Sequence, residues 1–192
     1  MNVLKPSLKN IKYFVASLKK GRVLVLPTDT VYGLICDATN KKAVNRIYQI
    51  KDREKHKFVP IFIKDIKTAK NICFISGSQE KLLKKHWPGR FTFILNRRKS
   101  IKKIYGIEKK TIALRIPKNN LIKILLEKIN KPLVGTSANI SGKPASGKIQ
   151  DIIEQFKNSK NQPDMFIDGG KLLGKSSKII DLTGKNPIII RN

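Results

Sequence analysis

The sequence has few acidic residues, few histidines and few cysteines. Of its 192 residues only 13 are Asp or Glu, two are His and two are Cys. Cys36 and Cys73 form no CxxC pair, which argues against a zinc site or a disulfide framework and fits a reducing, cytoplasmic location. Two histidines also leave little material for a metal cluster or a Ser-His-Asp triad. We therefore expect neither a protein-held metal centre nor covalent hydrolase chemistry.

Long apolar runs are absent as well. No stretch approaches the roughly 18 apolar residues of a membrane span, and residues 1–10 lack the apolar core of a secretory signal. With 40% apolar residues and nine prolines, the chain can nevertheless bury a proper core. No repeat or low-complexity linker interrupts it, and its length suits one ordinary domain. We expect a single domain over residues 1–192.

Positive charge dominates the composition. The 41 Lys and Arg residues exceed the 13 acidic residues by 28, which suggests polyanionic partners such as nucleic acid, a nucleotide or an anionic membrane. A second interpretation stays open, because Lys outnumbers Arg by 33 to eight in a chain rich in Ile and Asn. An AT-rich coding sequence would produce that bias without selection for binding. The lysines also scatter over every segment, so charge alone does not name the function.

Apolar periodicity predicts interleaved helices and strands. The predicted helices cover residues 8–18, 41–48, 66–71, 79–86, 121–129 and 149–156. The predicted strands cover residues 23–26, 59–63, 91–95, 111–116, 133–135, 165–167, 178–182 and 188–190. Because the two kinds of element interleave without strict alternation, we expect an α/β or α+β domain with a sheet of mixed direction.

Three polar segments are candidates for a binding site. Residues 27–34 (PTDTVYGL) leave a predicted buried strand, where sites in α/β sheets collect. Residues 51–57 (KDREKHK) supply cations that could close on phosphates, and residues 135–142 (GTSANISG) are small enough for a ligand to approach closely. Each segment also has an ordinary interpretation, as a turn, a charged helix end and a plain loop.

A fourth segment, residues 169–176 (GGKLLGKS), matches the phosphate-binding pattern G-x-x-x-x-G-K-[ST]. That loop requires a helix to begin at its Lys-Ser pair, so that the helix N-terminus faces the phosphates. Residues 178–182 have the pattern of a strand instead. We interpret the match as coincidental, although Ser176 remains a candidate to contact a nucleotide.

Taken in order, these motifs resemble the YrdC/TsaC family of L-threonylcarbamoyladenylate synthases. The resemblance rests on PTDTVYGL, on Lys-x-Arg at 51–53, WPG at 87–89, IALRIP at 112–117 and SANISG at 137–142, and on IDGG at 167–170 followed by Ser176. It spans residues 21 to about 183, and the length resembles the short bacterial form that lacks an extra C-terminal domain. It implies a single twisted mixed sheet with flanking helices around a basic concave cleft.

The resemblance also implies a reaction. L-threonine, bicarbonate and ATP would give threonylcarbamoyl-AMP and pyrophosphate, with Mg²⁺ carried by ATP. The product would serve a downstream threonylcarbamoyl-transferase complex (TsaB, TsaD and TsaE type) that makes N6-threonylcarbamoyladenosine in tRNAs reading codons that begin with A. A weak contact with tRNA or double-stranded RNA is a further expectation, and a membrane partner is not expected.

The family's functional residues carry over to matching positions. Lys51 and Arg53 would be catalytic, with Lys51 facing the phosphates or the carbamate. L-threonine would be held by Thr30, Arg115 and Ser137. ATP would be held by Arg53, Lys57, Thr111, Asn139 and Ser176.

The sequence departs from the family pattern at five places, two of which are Phe58-Val59 where Pro-Leu is usual and Ser176-Ser177 where Ser-Thr is usual. Phe62 stands where some relatives have a histidine that contacts threonine, and Glu54 stands where proline is common. Residues 144–147 (PASG) replace a Pro-Ser-Pro-Thr run and put one ATP contact in doubt. Two other functions stay open: a non-catalytic RNA-binding module, which the charge would suit, and a generic sugar-nucleotide or carbamoyl transferase.

Overall fold

Ten strands form one mixed sheet in the computed structural model, which describes residues 3–98, 104–108, 110–172 and 174–192. The strands in this part of the chain are β1 (Val3–Leu4), β2 (Leu24–Leu26), β3 (Gly33–Asp37), β4 (Ile61–Phe62), β5 (Phe91–Asn96), β6 (Thr111–Arg115), β7 (Leu133–Ser137), β8 (Met165–Ile167), β9 (Lys178–Asp181) and β10 (Ile188–Arg191). Their order across the sheet is β1-β8-β2-β3-β7-β4-β6-β5-β9-β10. Parallel and antiparallel neighbours are mixed, since β2 pairs with β8 in parallel and with β3 antiparallel.

Six helices flank the sheet in the described residues. They are α1 (Leu8–Lys19), α2 (Lys41–Lys51), α3 (Ile66–Ile72), α4 (Gly77–His86), α5 (Asn120–Ile129) and α6 (Ile149–Phe156). Side-chain oxygens of Ser7, Asn40, Asp65, Ser76 and Asn119 cap the first five of them by accepting from backbone N–H groups of the first turn. No helix in the described part is long and apolar enough to cross a membrane.

The predicted fold class, a single mixed sheet with flanking helices, is confirmed. Two strands were missed: β1, and β3, whose Gly33 and Leu34 were assigned to a polar loop. The structure instead has β3 antiparallel to β2, with all five of its residues buried. β7 runs to Ser137 and so includes residues assigned to the following loop, whereas β4 is shorter than predicted. Pro60 precedes β4 and has no N–H to donate to a strand ladder.

The two faces of the sheet carry separate cores, because side chains alternate along each strand. One face buries the larger core, where strand residues such as Leu34 and Phe93 pack with α2, α3, α4 and α6. On the opposite face Ile35 and Leu133 pack with α1 and α5. Beside this second core, the same face lines a cavity. The sheet therefore supplies both the core and the floor of a site.

The floor of the cavity follows from strand register. Phe62 of β4 pairs with Arg115 of β6, and Thr92 of β5 pairs with Ile179 of β9. Ile179 in turn pairs with Arg191 of β10. Paired residues point to the same face of a sheet, so these five side chains meet along one surface.

Candidate functional site

The cavity has a volume of about 260 Å³ and is cationic. Its charged lining residues are Lys51, Arg53, Arg115 and Arg191, and its polar ones include Thr28, Thr30, Thr92, Ser137, Asn139, Ser141, Ser176 and Ser177. No carboxylate is among the described lining residues. A concave site with cations and hydroxyl groups and no acid of its own is suited to an anionic ligand.

Arg115 ends β6 and is only 4% exposed. Its Nε donates to the carbonyl of Gly89 (3.0 Å), Nη1 to Oγ1 of Thr30 (3.3 Å) and Nη2 to Oδ1 of Asp29 (2.6 Å). Burial lowers the pKa of Arg115, and Asp29 acts in the opposite direction. A guanidinium has five N–H groups, so one on each terminal nitrogen remains for a ligand. Their planar arrangement suits a carboxylate.

The hydroxyl group of Thr30 can accept a hydrogen bond from a ligand but has no proton left to donate. Thr28 donates its only proton to the carbonyl of Val31 (2.6 Å). The 2.9 Å contact between the two threonine hydroxyls must therefore be donated by Thr30. Nη1 of Arg115 donates to one lone pair of the Thr30 oxygen, and the second lone pair is available to accept from a ligand.

Lys51 is the last residue of α2 and is 2% exposed. Its Nζ donates to the carbonyl of Ser137 (2.6 Å), the carbonyl of Asn139 (2.9 Å) and Oδ1 of Asn139 (3.0 Å). An ammonium group has three N–H donors, and all three are used. Lys51 lines the cavity, and its ammonium cross-links α2 to the turn after β7. That it faces the phosphates or the carbamate stays a prediction.

The side chain of Asn139 is likewise engaged by the protein. Its Oδ1 also accepts from Oγ of Ser137 (2.6 Å), and its Nδ2 donates to the carbonyls of Ile140 (3.0 Å) and Lys143 (2.6 Å). Asn139 thus shapes the turn over residues 137–143. Because Ser137 donates its hydroxyl hydrogen bond to Asn139, its oxygen, like that of Thr30, is available to a ligand only as an acceptor.

Arg53 lies at the cavity, but Lys57 does not. Asp52 adopts a left-handed conformation (φ 47°) that ends α2, and Arg53 then bends over the following loop, where its Nη2 donates to the carbonyl of Phe58 (3.3 Å). Lys57 is exposed, outside the lining, and paired with Glu54 (2.8 Å). That ion pair lowers the pKa of Glu54. The departure from the family pattern at Glu54 thus supplies a competing partner for the predicted ATP residue.

Of the two remaining predicted ATP residues, the structure brings one to the cavity. Ser176 is in the lining. Thr111 begins β6, at the opposite end of that strand from Arg115, and its hydroxyl donates to Glu108 (3.1 Å) outside the cavity. The predicted strand after residues 169–176 is confirmed as β9, so the helix that a phosphate-binding loop requires there is replaced by a strand.

Four further side chains help to build this site, and the sequence analysis assigns no role to any of them: Asp29, Thr92, Ser177 and Arg191. Asp29 belongs to the candidate segment PTDTVYGL, but the sequence predicts no role for it, since its partner Arg115 is 86 positions away. Arg191 lines the cavity and donates to the carbonyl of Ser177 through Nε (3.0 Å) and Nη2 (2.7 Å). The hydroxyls of Ser177 and Thr92 lie 3.0 Å apart. A polar Thr92 inside the apolar run Phe91–Leu95 was the one available signal.

Comparison with known proteins identifies the same group of relatives by sequence and by structure. The family model for Sua5, YciO and YrdC, described as "Telomere recombination", matches residues 16–192. The uncharacterized protein YciO of Escherichia coli is 32% identical over 97% of this chain and 90% of its own length. The threonylcarbamoyl-AMP synthase of Pyrococcus abyssi is 31% identical over 94% of this chain, but this chain spans only 53% of that protein.

Solved structures agree. P. abyssi Sua5 complexed with L-threonine superposes with a TM-score of 0.87 at 29% identity, covering 99% of this chain and 56% of that one. The crystal structure of E. coli YciO superposes with a TM-score of 0.86 at 28% identity, covering 100% of this chain and 93% of that one. The similarity extends over nearly the whole sheet described above.

Proposed function

The chain belongs to the Sua5/YciO/YrdC family, and from that premise we propose that it is a transferase that makes threonylcarbamoyl-AMP. Its substrates would be L-threonine, bicarbonate and ATP, and pyrophosphate would be released. The observation that carries the proposal is the buried Arg115, which keeps two free N–H donors beside an acceptor hydroxyl in a cationic cavity. A carboxylate next to a hydroxyl group is what an amino acid such as threonine presents.

At the threonine end, each of the three predicted residues has a chemical part. Arg115 would hold the α-carboxylate through its remaining N–H groups. Thr30 and Ser137 each donate their hydroxyl hydrogen bond within the protein, so their oxygens would accept a hydrogen bond from the ligand. The side-chain hydroxyl of threonine can donate such a bond.

At the ATP end, the cations and small polar groups of the cavity would hold the phosphates. Arg53 and Ser176 are part of the lining, and Arg191, which borders the same space, adds a positive charge. Lys57 and Thr111 could contribute only where ATP extends past the cavity, with Lys57 released from Glu54. Because the described lining offers no carboxylate to hold a metal, Mg²⁺ would enter bound to the phosphates of ATP.

The chemistry needs no nucleophile from the protein. The amine of threonine would lose a proton and add to the carbon supplied by bicarbonate, with loss of water, to give a carbamate. A carbamate oxygen would then attack the α-phosphorus, and the bond from that phosphorus to the bridging oxygen of the leaving pyrophosphate would break. The protein would contribute proximity and the fixed charge of Arg53 against the leaving group.

In the cell, such a product would need a consumer. We propose that the threonylcarbamoyl group passes to a transferase complex of the TsaB, TsaD and TsaE type and ends on adenosine of tRNAs that read codons beginning with A. Binding of tRNA by this chain itself remains a separate expectation from the +28 charge.

Mass spectrometry of the three-substrate reaction tests the proposed function. We expect a threonylcarbamoyl adenylate and pyrophosphate only when L-threonine, bicarbonate and ATP are all present. An RNA-binding module would form no adenylate. A generic carbamoyl transferase would form an adenylate even when threonine is left out of the reaction. Either result would exclude the proposal.

Selectivity for threonine over valine is the first quantitative prediction. Valine is nearly isosteric with threonine but has no hydroxyl proton to donate to the oxygen of Thr30 or Ser137, so one of these acceptors is left without its donor. We expect kcat/KM for valine to be about 100-fold lower than for threonine. Serine, which retains the hydroxyl, serves as the control and should lose less than valine does. Comparable turnover of valine would contradict the assignment of these two residues.

A further inference from the structure

Asp29 contacts Arg115 but is not itself part of the cavity lining. Its Oδ1 accepts from Nη2 of Arg115 at 2.6 Å, and its Oδ2 accepts from the backbone N–H of Lys118 at 3.0 Å. The side chains of Asp29 and Arg115 are 10% and 5% exposed. Asp29 is not among the residues that line the cavity. Its carboxylate therefore reaches a ligand only through Arg115.

The guanidinium of Arg115 is fixed from several directions. The carbonyl of Gly89 holds Nε, and the ring of Phe62 lies beneath it, with Cζ 5.6 Å from the ring centroid. Those two contacts limit its depth in the cavity. Rotation of the terminal nitrogens is limited by Asp29 on Nη2 and by Thr30 on Nη1.

Asp29 also ties the direction of Arg115 to the position of Thr30. The two residues are neighbours in the turn between β2 and β3, and each takes one terminal nitrogen of the same guanidinium. Both oxygens of Asp29 are bonded, so the carboxylate itself is fixed. The free N–H groups of Arg115 are thereby held in a fixed position and direction relative to the free lone pair of Thr30.

From this geometry we infer that Asp29 is a positioning residue, which sets the orientation of Arg115 for the carboxylate of the amino-acid substrate. The inference rests on the proposed function for the identity of that substrate. Asp29 also neutralises the buried guanidinium. A ligand carboxylate thus joins a pair that is already neutral, and its recognition depends on the direction of the remaining N–H groups more than on net charge.

The test compares Asp29→Asn with Asp164→Asn. Asp164 is the control, because its carboxylate also accepts from an arginine (Arg46) and from a backbone N–H (Val23), and none of these residues lines the cavity. For Asp29→Asn we expect KM for threonine to rise about tenfold. KM for ATP and kcat at saturating threonine should stay within about twofold. Asp164→Asn should lower the melting temperature and leave both KM values unchanged.

Asp29→Glu separates position from charge. It keeps the negative charge and displaces the carboxylate by one methylene, so a positioning role predicts weaker threonine binding in this variant as well. Unchanged threonine KM in both Asp29 variants, or an equal rise in the KM of threonine and ATP, would overturn the inference.

Titration calorimetry with L-threonine provides a readout independent of turnover. If the wild-type protein binds threonine but forms no adenylate, the proposed function fails, while the ratio of wild-type to Asp29→Asn affinity still decides the role of Asp29. Should Asp29→Asn fail to fold, Asp29→Glu and the same titration decide it. Equal threonine affinity in wild type and variant would contradict the inference.

Discussion

Replacing Lys51 with alanine is expected to lower the rate of adenylate formation by about 100-fold or more. The change removes the ammonium that joins α2 to the turn holding Ser137 and Asn139. Two carbonyls and an amide oxygen then lose their donor, at a cost of about 1–3 kcal/mol for each that stays dry. We expect Ser137 to shift relative to Arg115, which would misplace threonine. The initial rate of pyrophosphate release measures the effect.

Lys175→Ala is the matched control for this prediction. Lys175 belongs to the GGKLLGKS segment and is exposed, and no helix begins beside it. We expect its replacement to leave the rate within about twofold of wild type, because no helix N-terminus is present to share a phosphate with it. A large loss at Lys175 together with near-normal activity at Lys51 would contradict both assignments.

The Lys51 cross-link should also make activity depend on pH near neutrality. Burial, with a smaller effect from Arg53, lowers the pKa of Lys51 to about 7. Above that pH the group becomes an amine with two N–H donors and a lone pair, and one of its three acceptors is lost. We expect kcat/KM for threonine to fall as pH rises through about 7. The residual activity of Lys51→Ala should lack this step, and a step that persists in the variant would assign it to another group.

The stability of the fold should change in the opposite direction over the same range. Folding lowers the pKa of Lys51 from 10.5 to about 7, so between these values the unfolded chain holds one more proton than the native chain. Stability then rises with pH from about 7 to 10.5. Below pH 7 both states are protonated, and the burial of the ammonium opposes folding in full. Urea unfolding of wild type and Lys51→Ala at pH 6 and pH 9 separates this contribution.

Local pattern was enough to predict elements that bury one strongly periodic face. α6 begins and ends at the predicted residues, because Ile149, Ile152 and Phe156 repeat at helical spacing and face the core. β3 could not be predicted in the same way. It follows directly on the polar turn of residues 27–32, and its buried run Gly33–Asp37 pairs with β7, about 100 positions further along the chain. Its other partner, β2, is close in sequence, but the prediction extends the polar segment between the two strands to Leu34 and so covers the start of β3.

The site divides along similar lines. The resemblance to the YrdC/TsaC family led to Thr30, Lys51, Arg53, Arg115, Ser137, Asn139 and Ser176, all of which line one cavity. What each donor does could not be predicted, because hydrogen-bond partners in this site are distant in sequence. Lys51 is bonded to oxygens 86 and 88 positions away, a cross-link that its motif does not indicate. Thr111 lies outside the cavity because it begins β6, whereas Arg115 ends that strand at the cavity. A sequence motif does not show which end of a strand reaches a site.

Replacing Arg115 with alanine is expected to raise KM for threonine by about 100-fold and to leave KM for ATP nearly unchanged. The variant removes the guanidinium that donates to Thr30; no other cation in the described cavity lining does so. A charge-assisted hydrogen bond of a buried guanidinium contributes about 1.5–3 kcal/mol, and two N–H groups are available to the carboxylate. Steady-state kinetics with each substrate varied in turn measures the separation. A large loss of ATP affinity with unchanged threonine KM would reverse the two ends of the cavity.

This experiment needs a control for Asp29, because Arg115→Ala leaves its buried carboxylate without its ion-pair partner. Breaking one side of a buried ion pair costs about 3–5 kcal/mol of stability, and such a loss could depress activity without any role in binding. The double variant Asp29→Asn/Arg115→Ala removes both charges and should recover most of the melting temperature. Threonine KM should remain high in it, since the N–H groups that meet the carboxylate are still missing. Recovery of threonine KM along with stability would mean that Arg115 serves the fold and not the substrate.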